Sequence, residues 1–344
     1  MLIGGFETDQ RVLVVAEIGN NHEGDFALAQ DLIGLAAEAG AHAVKFQTYR
    51  TEDYISRREI DRFERLKSFE LSPEQFAQLS AVASGAGVLF FSTPLDLPSV
   101  AVLAPLVSAL KIASGDNTFF PLLEAAAKTG KPIILSAGLA TIAELRASVA
   151  VIKRTWAVNA MKQKLAILHC VSSYPVPRHE ANLGAIQHLR EVFRCTVGYS
   201  DHTIGIEATA LSVALGARIV EKHFTIDNNY SDFRDHQLSA DPTQFHELVQ
   251  RIECFTTLIG KGEKTPQASE QAGRESMRRS IAARRDLPAG TVIIADDLIW
   301  VRPAGGIAPG NENFVVGRTL IEKVAAGNHI LRSMLTDKQY ATTS

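Results

Sequence analysis

Residues 11–40 read RVLVVAEIGNNHEGDFALAQDLIGLAAEAG, and this stretch decides the class of fold. Its first part, RVLVVAEIG, is a continuous apolar run, which is typical of a β-strand that is buried on both faces. Its last part, DFALAQDLIGLAAEAG, repeats apolar residues at intervals of three and four, as an amphipathic helix does. The stretch therefore predicts one buried strand followed by one covering helix.

The same alternation of a short apolar run and a longer amphipathic segment occurs eight times before residue 262. The strand-like runs are RVLVVAEIG, HAVKFQT, VLFFSTP, ALKIASG, KPIILSAG, LAILHC, CTVGYSD and RIVEKHFT. One helix start is visible in SPEQ, where Ser72 can cap the helix and Pro73 can occupy its first turn. Apolar strands joined by helices are parallel, and eight such units close into a barrel with right-handed crossovers. We predict an α/β fold, a (β/α)8 TIM barrel over residues 1–262.

The alternation stops after residue 262. Residues 263–280 are polar and poor in large apolar side chains, which predicts a linker. Residues 281–344 contain short β-like pieces separated by Gly and Pro, which predicts a small, mostly-β domain. Because a unit of this size buries little core of its own, we expect it to lean on another surface.

Composition excludes several classes of protein. Apolar residues make up 46% of the chain, charged residues make up 21% and the net charge is −3, so neither nucleic acid nor membrane is a favoured partner. No run approaches the roughly 20 apolar residues of a membrane span, and the first residues lack a basic start followed by a cleavable apolar segment. We expect a cytoplasmic protein. Three widely separated cysteines, Cys170, Cys195 and Cys254, do not predict a disulfide framework.

Polar residues stand where the predicted strands end, and the carboxyl ends of barrel strands are where active sites lie. These residues are Glu17, Asn20, Asn21, His22, Lys45, Gln47, Ser92, Thr93, Lys111, Ser114, Ser136, His169, Ser172, Ser200, Asp201, His202, Glu221, Lys222 and His223. Any one of them alone is also consistent with a solvated strand end without function. Together they indicate a site.

Two lysines stand inside apolar strands, Lys45 in AVKFQ and Lys111 in ALKIAS. Lysine is rarely buried without an anionic partner, and two ammonium groups in one barrel would repel each other. Phosphate or carboxylate is the natural partner, and the hydroxyl groups that can add hydrogen bonds are those of Thr93, Ser114, Ser136 and Ser200. The pattern predicts an anion site.

His202 and His223 end consecutive strands, so their imidazoles can reach one point and bind one divalent metal. A single histidine at such a place is more often a packed residue, but the pair favours a metal. Two imidazoles leave the shell open for water, a carboxylate or substrate. By strand alternation Glu221 shares the face of His223, while Lys222 faces the helix layer and is expected to reach solvent.

The chain resembles the sialic acid synthases, which make N-acetylneuraminate and related nonulosonic acids. The motifs that carry the resemblance are AEIGNNHEGD, VKFQT, FFSTP, KIASGDN, ILSAG, HCVSSYP, GYSDHT, VEKHFT and RRSIAARRDLPAG…WVRPAGGIAP. The second domain is similar to the antifreeze-like, or SAF, domain of that family. The resemblance implies condensation of phosphoenolpyruvate with an N-acylated hexosamine such as N-acetylmannosamine, with release of phosphate, in carbohydrate (polysaccharide) biosynthesis. It also implies a divalent metal, usually Mn²⁺, with Mg²⁺ or Co²⁺ as alternatives.

The resemblance assigns roles to individual residues. Those implied to surround phosphoenolpyruvate are Lys45, Thr93, Lys111, Ser114, Ser136, Ser172 and Ser200. His202 and His223 are implied to hold the metal, Glu17, Gln47 and Asp235 to meet the sugar, and Tyr174 to bind substrate. The candidates for catalysis are Glu17, Lys45, Lys111 and Asp235. Arg302 in WVRP is implied to reach the N-acyl group in the partner subunit of a domain-swapped homodimer.

Two departures from the family pattern leave the product open. Asp235 lies in DFRDH where many members have Gly-Pro-Asp, and Ser172 stands where some relatives have Asn. Neuraminate, legionaminate and pseudaminate all remain candidates. One alternative is a 3-deoxy sugar acid synthase that acts on a phosphorylated aldose, and another is a non-catalytic sugar-binding scaffold.

Overall fold

The structure, a computed structural model, describes residues 1–336. It divides into two compact units, the first from Met1 to Gly260 and the second beginning at Lys261. Residues 337–344 of the predicted second domain lie outside the described residues. Within the described part of the chain, no helix combines the length and the apolar character that crossing a bilayer requires.

The first unit is built on eight parallel strands in one sheet, with the last strand paired to the first. A two-stranded hairpin, β1 (Leu2–Ile3) and β2 (Phe6–Glu7), precedes this sheet. The sheet strands are β3 (Leu13–Gly19), β4 (Ala43–Thr48), β5 (Leu89–Pro94), β6 (Leu110–Ile112), β7 (Ile133–Ser136), β8 (Leu165–Cys170), β9 (Thr196–Asp201) and β10 (Ile219–His223). The predicted α/β barrel is confirmed as a nearly closed, TIM-like cylinder.

Eight helices follow the eight strands and cover the outside of the cylinder. They are α1 (Phe26–Glu38), α4 (Pro73–Gly85), α5 (Leu97–Leu103), α6 (Phe120–Lys128), α7 (Ile142–Val158), α8 (Ala185–Phe193), α9 (Glu207–Ala214) and α11 (Pro242–Ile259). Three further helices, α2 (Thr51–Tyr54), α3 (Ile60–Phe69) and α10 (Arg234–Leu238), lie in the loops. Helix α4 begins as predicted, because Ser72 and Gln75 form a capping box and Pro73 is the first helical residue.

The interior of the cylinder is apolar at the end where the strands begin. There the residues that pack together are Leu13, Val15, Ala43, Phe91, Ala109, Ile134, Ala166, Leu168 and Ile219, joined by Met1 and Ile3 of the hairpin. The buried ammonium group of Met1 pairs with Glu7 at 2.9 Å and with Asp9 at 3.0 Å, which fastens the hairpin. The hairpin thus closes one end, and the polar residues gather at the other.

The second unit has a core of its own, formed mainly by Ile281, Leu287, Ile293, Leu298 and Ile330. Its strands β11 (Ser280–Ala283) and β12 (Leu298–Val301) are antiparallel, and its helices are α12 (Gln271–Met277) and α13 (Glu312–Val315). Residues 263–280, for which the sequence predicts a linker, contain helix α12 and the first residue of strand β11.

Gly198 of strand β9 provides a test of the barrel geometry. A Cβ atom at this position would lie 2.0 Å from the Ile219 carbonyl oxygen and 2.5 Å from Leu168 Cδ2, so β9 and β10 could not keep their pairing. We expect Gly198→Ala to lower the free energy of unfolding by about 2–3 kcal/mol or more, measured by urea denaturation.

Gly34 of helix α1 is the matched control, because no atom lies within 4 Å of the added Cβ. There, Gly34→Ala should leave stability unchanged or raise it by up to about 1 kcal/mol. Equal effects of the two substitutions would contradict the proposed backbone contact.

Candidate active site

The carboxyl ends of the barrel strands surround a cavity of about 500 Å³, here called the mouth cavity. The residues with a predicted role that line it are Glu17, Lys45, Gln47, Thr93, Lys111, Ser114, Ser136, Ser172, Tyr174, Ser200, His202, His223 and Asp235. The structure therefore brings together every first-unit residue for which a role was predicted. Of the other strand-end residues, Asn20 and Glu221 also line the cavity, and those that do not are Asn21, His22, Ser92, His169, Asp201 and Lys222. Arg302 belongs to the second unit.

A cluster of four buried charges lies at the centre of the mouth cavity. Lys45 Nζ is 2.7 Å from Glu17 Oε2 and 3.7 Å from Glu221 Oε2. The same Glu221 oxygen lies 3.6 Å from Lys111 Nζ. Glu221 was among the strand-end residues that indicated a site, on the same strand face as His223, but no role was predicted for it. The two lysines are thus already bridged by a carboxylate of the protein.

Burial and mutual attraction compete within this charge cluster. Burial tends to raise the pKa of Glu221, but Lys111 and Lys45 outweigh it and hold the carboxyl below its usual range. Burial tends to lower the pKa of Lys45, but Glu17 and Glu221 outweigh it and raise that pKa. For Lys111, burial prevails over Glu221 and lowers the pKa. Lys45 consequently holds its proton more firmly than Lys111.

Hydroxyl groups converge beside Lys111. Its ammonium group donates to Ser136 Oγ at 2.7 Å. Ser172 Oγ is buried, and it has no hydrogen-bond partner among residues 1–336. A Cβ atom at Gly138 would lie 2.5 Å from Ser172 Oγ and 2.6 Å from Ser114 Oγ, so glycine is what allows these two hydroxyls to approach. Hydroxyl and ammonium donors around one point suit an anion.

The His202 and His223 rings face each other, with centroids 5.3 Å apart. Nδ1 of His202 lies 2.8 Å from the Val171 carbonyl oxygen and donates to it, which leaves its Nε2 lone pair free. Burial lowers the pKa of His223 well below its usual range, so this imidazole is neutral, and its Nδ1 is buried without a hydrogen-bond partner among the described residues. Two imidazole nitrogens with free lone pairs fit a divalent metal of the first transition row.

Two further observations concern how His202 and His223 could bind a metal. Burial tends to lower the pKa of His202, but the Cys170 thiol and the Val171 carbonyl outweigh it and raise that pKa, so protons compete for this imidazole. Within residues 1–336, no group of three or more His, Cys, Asp or Glu side chains is arranged to hold a metal. The protein therefore offers two ligands, and the remaining positions would belong to water and substrate.

Lys222 faces away from the mouth cavity, as alternation predicts, but the expectation that it reaches solvent is wrong. Its residue exposure is 1%, and its ammonium lies 3.2 Å from Asp201 Oδ2 and 2.5 Å from the Thr203 carbonyl oxygen. Asp201 also accepts from Thr209 Oγ1 at 2.6 Å and from the Tyr199 hydroxyl at 3.0 Å. This outer network holds the strand ends from which His202 and His223 project.

The loop that carries Asp235 is tied to the loop that follows β3. Asn21 donates to Ser239 Oγ at 3.0 Å, and His236 Nε2 lies 2.9 Å from Glu23 Oε1. Burial raises the pKa of Asp235, although Arg234, 3.4 Å away, opposes the rise. The loop segments NNHEGD and DFRDH, which are weak signals separately, thus form one wall of the mouth cavity.

Asp116, for which the sequence motifs predicted no role, also lines the mouth cavity. Burial raises its pKa to about 6, with Lys111 acting in the opposite direction. The signal was present, because Asp116 is part of the KIASGDN motif that follows β6. A carboxyl group with such a pKa can both give and take a proton near neutral pH.

Comparison with known proteins places the chain among sugar acid synthases. A family model described as the NeuB family matches residues 32–264, and an SAF domain model matches residues 278–336. The N,N′-diacetyllegionaminic acid synthase of Legionella pneumophila is 39% identical over 92% of this chain and 93% of its own. The enzyme of the same name from Campylobacter jejuni is 36% identical over 87% of this chain and 92% of its own.

A solved structure supports the same relationship. The N-acetylneuraminic acid (sialic acid) synthetase of Leptospira borgpetersenii, crystallised with citrate, superposes with a TM-score of 0.74 at 38% identity. The match covers 79% of this chain and 94% of that chain.

The shared carboxylate of Glu221 generates a stability prediction. Glu221→Gln leaves two buried ammonium groups with the single carboxylate of Glu17, so we expect the free energy of unfolding at pH 7 to fall by about 3–5 kcal/mol in urea denaturation. Because folding lowers the pKa of Glu221, its contribution is present above the unfolded value of 4.5 and is lost as the pH falls through the folded value. The difference between wild type and variant should therefore shrink in acid.

Glu124→Gln is the control, because it removes an exposed partner of Lys128 on helix α6. We expect its effect on unfolding to be close to zero. If Glu221→Gln were as mild as this control, the two lysines would not depend on the shared carboxylate.

Proposed function

The chain belongs to the NeuB family of nonulosonic acid synthases, and we propose that it condenses phosphoenolpyruvate with an N-acylated six-carbon sugar to form a nine-carbon acid and phosphate. The observation that carries this proposal is the convergence of Lys45 and Lys111 with His202 and His223 in one cavity of about 500 Å³. Ammonium groups suit an anionic enol phosphate, and the imidazole pair suits a Lewis acid.

The identity of the relatives supports a particular acceptor. Two proteins named N,N′-diacetyllegionaminic acid synthase share 39% and 36% of their residues with this chain. Phosphoenolpyruvate contains no nitrogen, so both acetamido groups of such a product must come from the six-carbon partner. We therefore propose a diacetamido sugar as the preferred acceptor, with N-acetylmannosamine, which would give N-acetylneuraminate, as the alternative.

Phosphoenolpyruvate is assigned to the cationic side of the mouth cavity. There Lys111 and the hydroxyl groups around Gly138 can bind its phosphate and carboxylate, because these donors converge and Ser172 still has an open hydrogen-bonding position. Further hydroxyl donors assigned to this substrate are those of Thr93, Ser136 and Ser200. Glu17, Gln47, Tyr174 and Asp235 are assigned to the hydroxyl and acyl groups of the acceptor sugar.

The reaction proceeds by formation of a carbon–carbon bond. The methylene carbon of phosphoenolpyruvate attacks the aldehyde carbon of the open-chain sugar, and the aldehyde oxygen takes a proton from Asp116, whose pKa of about 6 allows the transfer. Water adds to the electron-poor enol carbon and loses a proton, which replaces the one that Asp116 gave up. The resulting hemiketal phosphate then breaks its C–O bond, its hydroxyl proton passes to the departing phosphate and a ketone remains, while Lys45 and Lys111 stabilise that phosphate.

A divalent metal is part of the proposal, with Mn²⁺ preferred and Mg²⁺ or Co²⁺ as alternatives. His202 and His223 would hold it, since both present free imidazole nitrogens to the mouth cavity. When bound, such an ion supplies Lewis-acid polarisation of the acceptor aldehyde. The outer network of Lys222 and Asp201 keeps the two imidazoles in place for it.

Arg302 completes the proposed site. On the strength of its WVRP motif, we assign it to the N-acyl group of the acceptor, bound in the barrel of a partner subunit in a domain-swapped homodimer. Arg302 is exposed on the second unit, which leaves its guanidinium available for such a contact.

The reaction itself is tested by phosphate release. Incubation with phosphoenolpyruvate, Mn²⁺ and each member of a panel of N-acylated aldoses should release phosphate, fastest with a diacetamido hexose. Chelation should abolish the release, and added Mn²⁺ should restore it. Undiminished release of phosphate after chelation would reject the metal. The absence of phosphate release with every aldose of the panel would favour a non-catalytic sugar-binding protein.

The role of Arg302 is tested by comparing the effect of its substitution on the KM values of the two substrates. Arg302→Ala should raise the KM for the N-acylated acceptor about tenfold or more, because a charge-assisted hydrogen bond is lost, and leave the KM for phosphoenolpyruvate unchanged. Arg278→Ala, which removes another exposed arginine of the same unit, serves as control. Equal effects on both substrates, or none, would exclude the proposed contact.

A further inference from the structure

Two arginines of helix α3, Arg62 and Arg65, lie at the rim of the mouth cavity. They are three positions apart in the helix, so their side chains share one face. Both also line an adjoining cavity of about 720 Å³, here called the side cavity, whose other charged lining residues are Arg234, Glu23 and Asp232. The two arginines thus face both openings.

The acidic residues of helix α3 are turned elsewhere. Asp61 and Glu64 each precede one of the two arginines by one position, which places them about 100° further round the helix. Neither of these acids lines the mouth cavity or the side cavity. The helix therefore mixes both signs of charge in its sequence but presents a basic face to the rim.

The charges deeper in the mouth cavity largely cancel. Lys45 and Lys111 are balanced by Glu17 and Glu221 within 3.7 Å. At such short range the four charges leave little net field at a distance. The cluster can bind an anion on contact, but it does not attract one from solution.

The rim is different, because its positive charge is not neutralised in the same way. Arg234 pairs with Asp235 at 3.4 Å. Arg62 donates a hydrogen bond to the Tyr54 hydroxyl, which is a neutral group. Neither Arg62 nor Arg65 forms an ion pair with a carboxylate of residues 1–336. Asp116 adds one carboxyl group at this cavity. At the mouth cavity two guanidinium groups therefore remain against this single acid, whereas the side cavity also contains Asp232 and Glu23, the latter 2.9 Å from His236 Nε2.

We propose that Arg62 and Arg65 form an electrostatic gateway that draws phosphoenolpyruvate into the mouth cavity, an inference that rests on the proposed function. The chain carries a net charge of −3, so its overall field opposes a substrate with a phosphate and a carboxylate. A local positive rim offsets that repulsion over roughly 8 Å at physiological ionic strength. The N-acylated acceptor is neutral and gains nothing from the gateway.

The experiment reverses the charge of the gateway. For Arg62→Glu/Arg65→Glu we expect kcat/KM for phosphoenolpyruvate to fall about tenfold or more at low salt, since electrostatic steering acts on association. The value of kcat at saturating phosphoenolpyruvate, and kcat/KM for the acceptor, should change less than twofold. Rising NaCl should lower kcat/KM for phosphoenolpyruvate in the wild type but not in the variant.

The matched control is Lys153→Glu/Arg154→Glu on helix α7, which changes the net charge equally at exposed positions outside both cavities. Its kcat/KM for phosphoenolpyruvate should stay within twofold of wild type. The gateway is excluded if the control behaves like the Arg62 and Arg65 variant, if neither changes, or if the variant loses kcat or acceptor kcat/KM to the same extent.

Calorimetric titration of phosphoenolpyruvate, without acceptor, separates this inference from the proposed reaction. A salt-dependent weakening of binding that is specific to Arg62→Glu/Arg65→Glu would support the gateway even if no sugar of the panel were turned over. Normal condensation with unaltered salt dependence in the variant would reject the gateway and leave the proposed function standing.

Discussion

The carboxylate of Glu221 is the interaction on which the site depends, because it allows two lysines to share the inside of one barrel. Its Oε2 atom lies within 3.7 Å of both ammonium groups. Without a negative charge at that point, Lys45 and Lys111 would repel each other and lose their hydration together. The barrel therefore carries a preformed, charge-balanced cluster, and a phosphate or carboxylate that binds there adds to an arrangement that is already stable.

Much of this architecture was predictable because it follows from periodicity. Buried parallel strands are apolar throughout, covering helices repeat at 3.6 residues, and the strand ends of a barrel meet at one rim, which is why thirteen predicted residues line one cavity. Alternation also placed Lys222 on the outer face correctly. Alternation could not show that Asp201 pairs with Lys222, because that contact joins two neighbouring strands and depends on the tertiary structure. For this reason Lys222 was wrongly expected to reach solvent.

The features that the sequence did not predict lie where periodicity ends. Helix α3 interrupts the strand and helix alternation, and its buried residue Phe69 packs edge-on against Phe233 with ring centroids 5.4 Å apart. The position of Arg62 and Arg65 depends on tertiary contacts of this kind, which periodicity does not predict. Asp116 stands in a short 3₁₀ turn after β6, where neither strand nor helix spacing applies, and its proton affinity depends on burial.

The hairpin at the amino end of the barrel has a consequence for the order of events. Because Met1, Ile3 and the apolar layer above them fill that end, the described residues leave the polar rim as the open end of the cylinder. A cavity with one opening imposes an order on two ligands that bind in it together: the ligand that lies deeper must enter first and leave last.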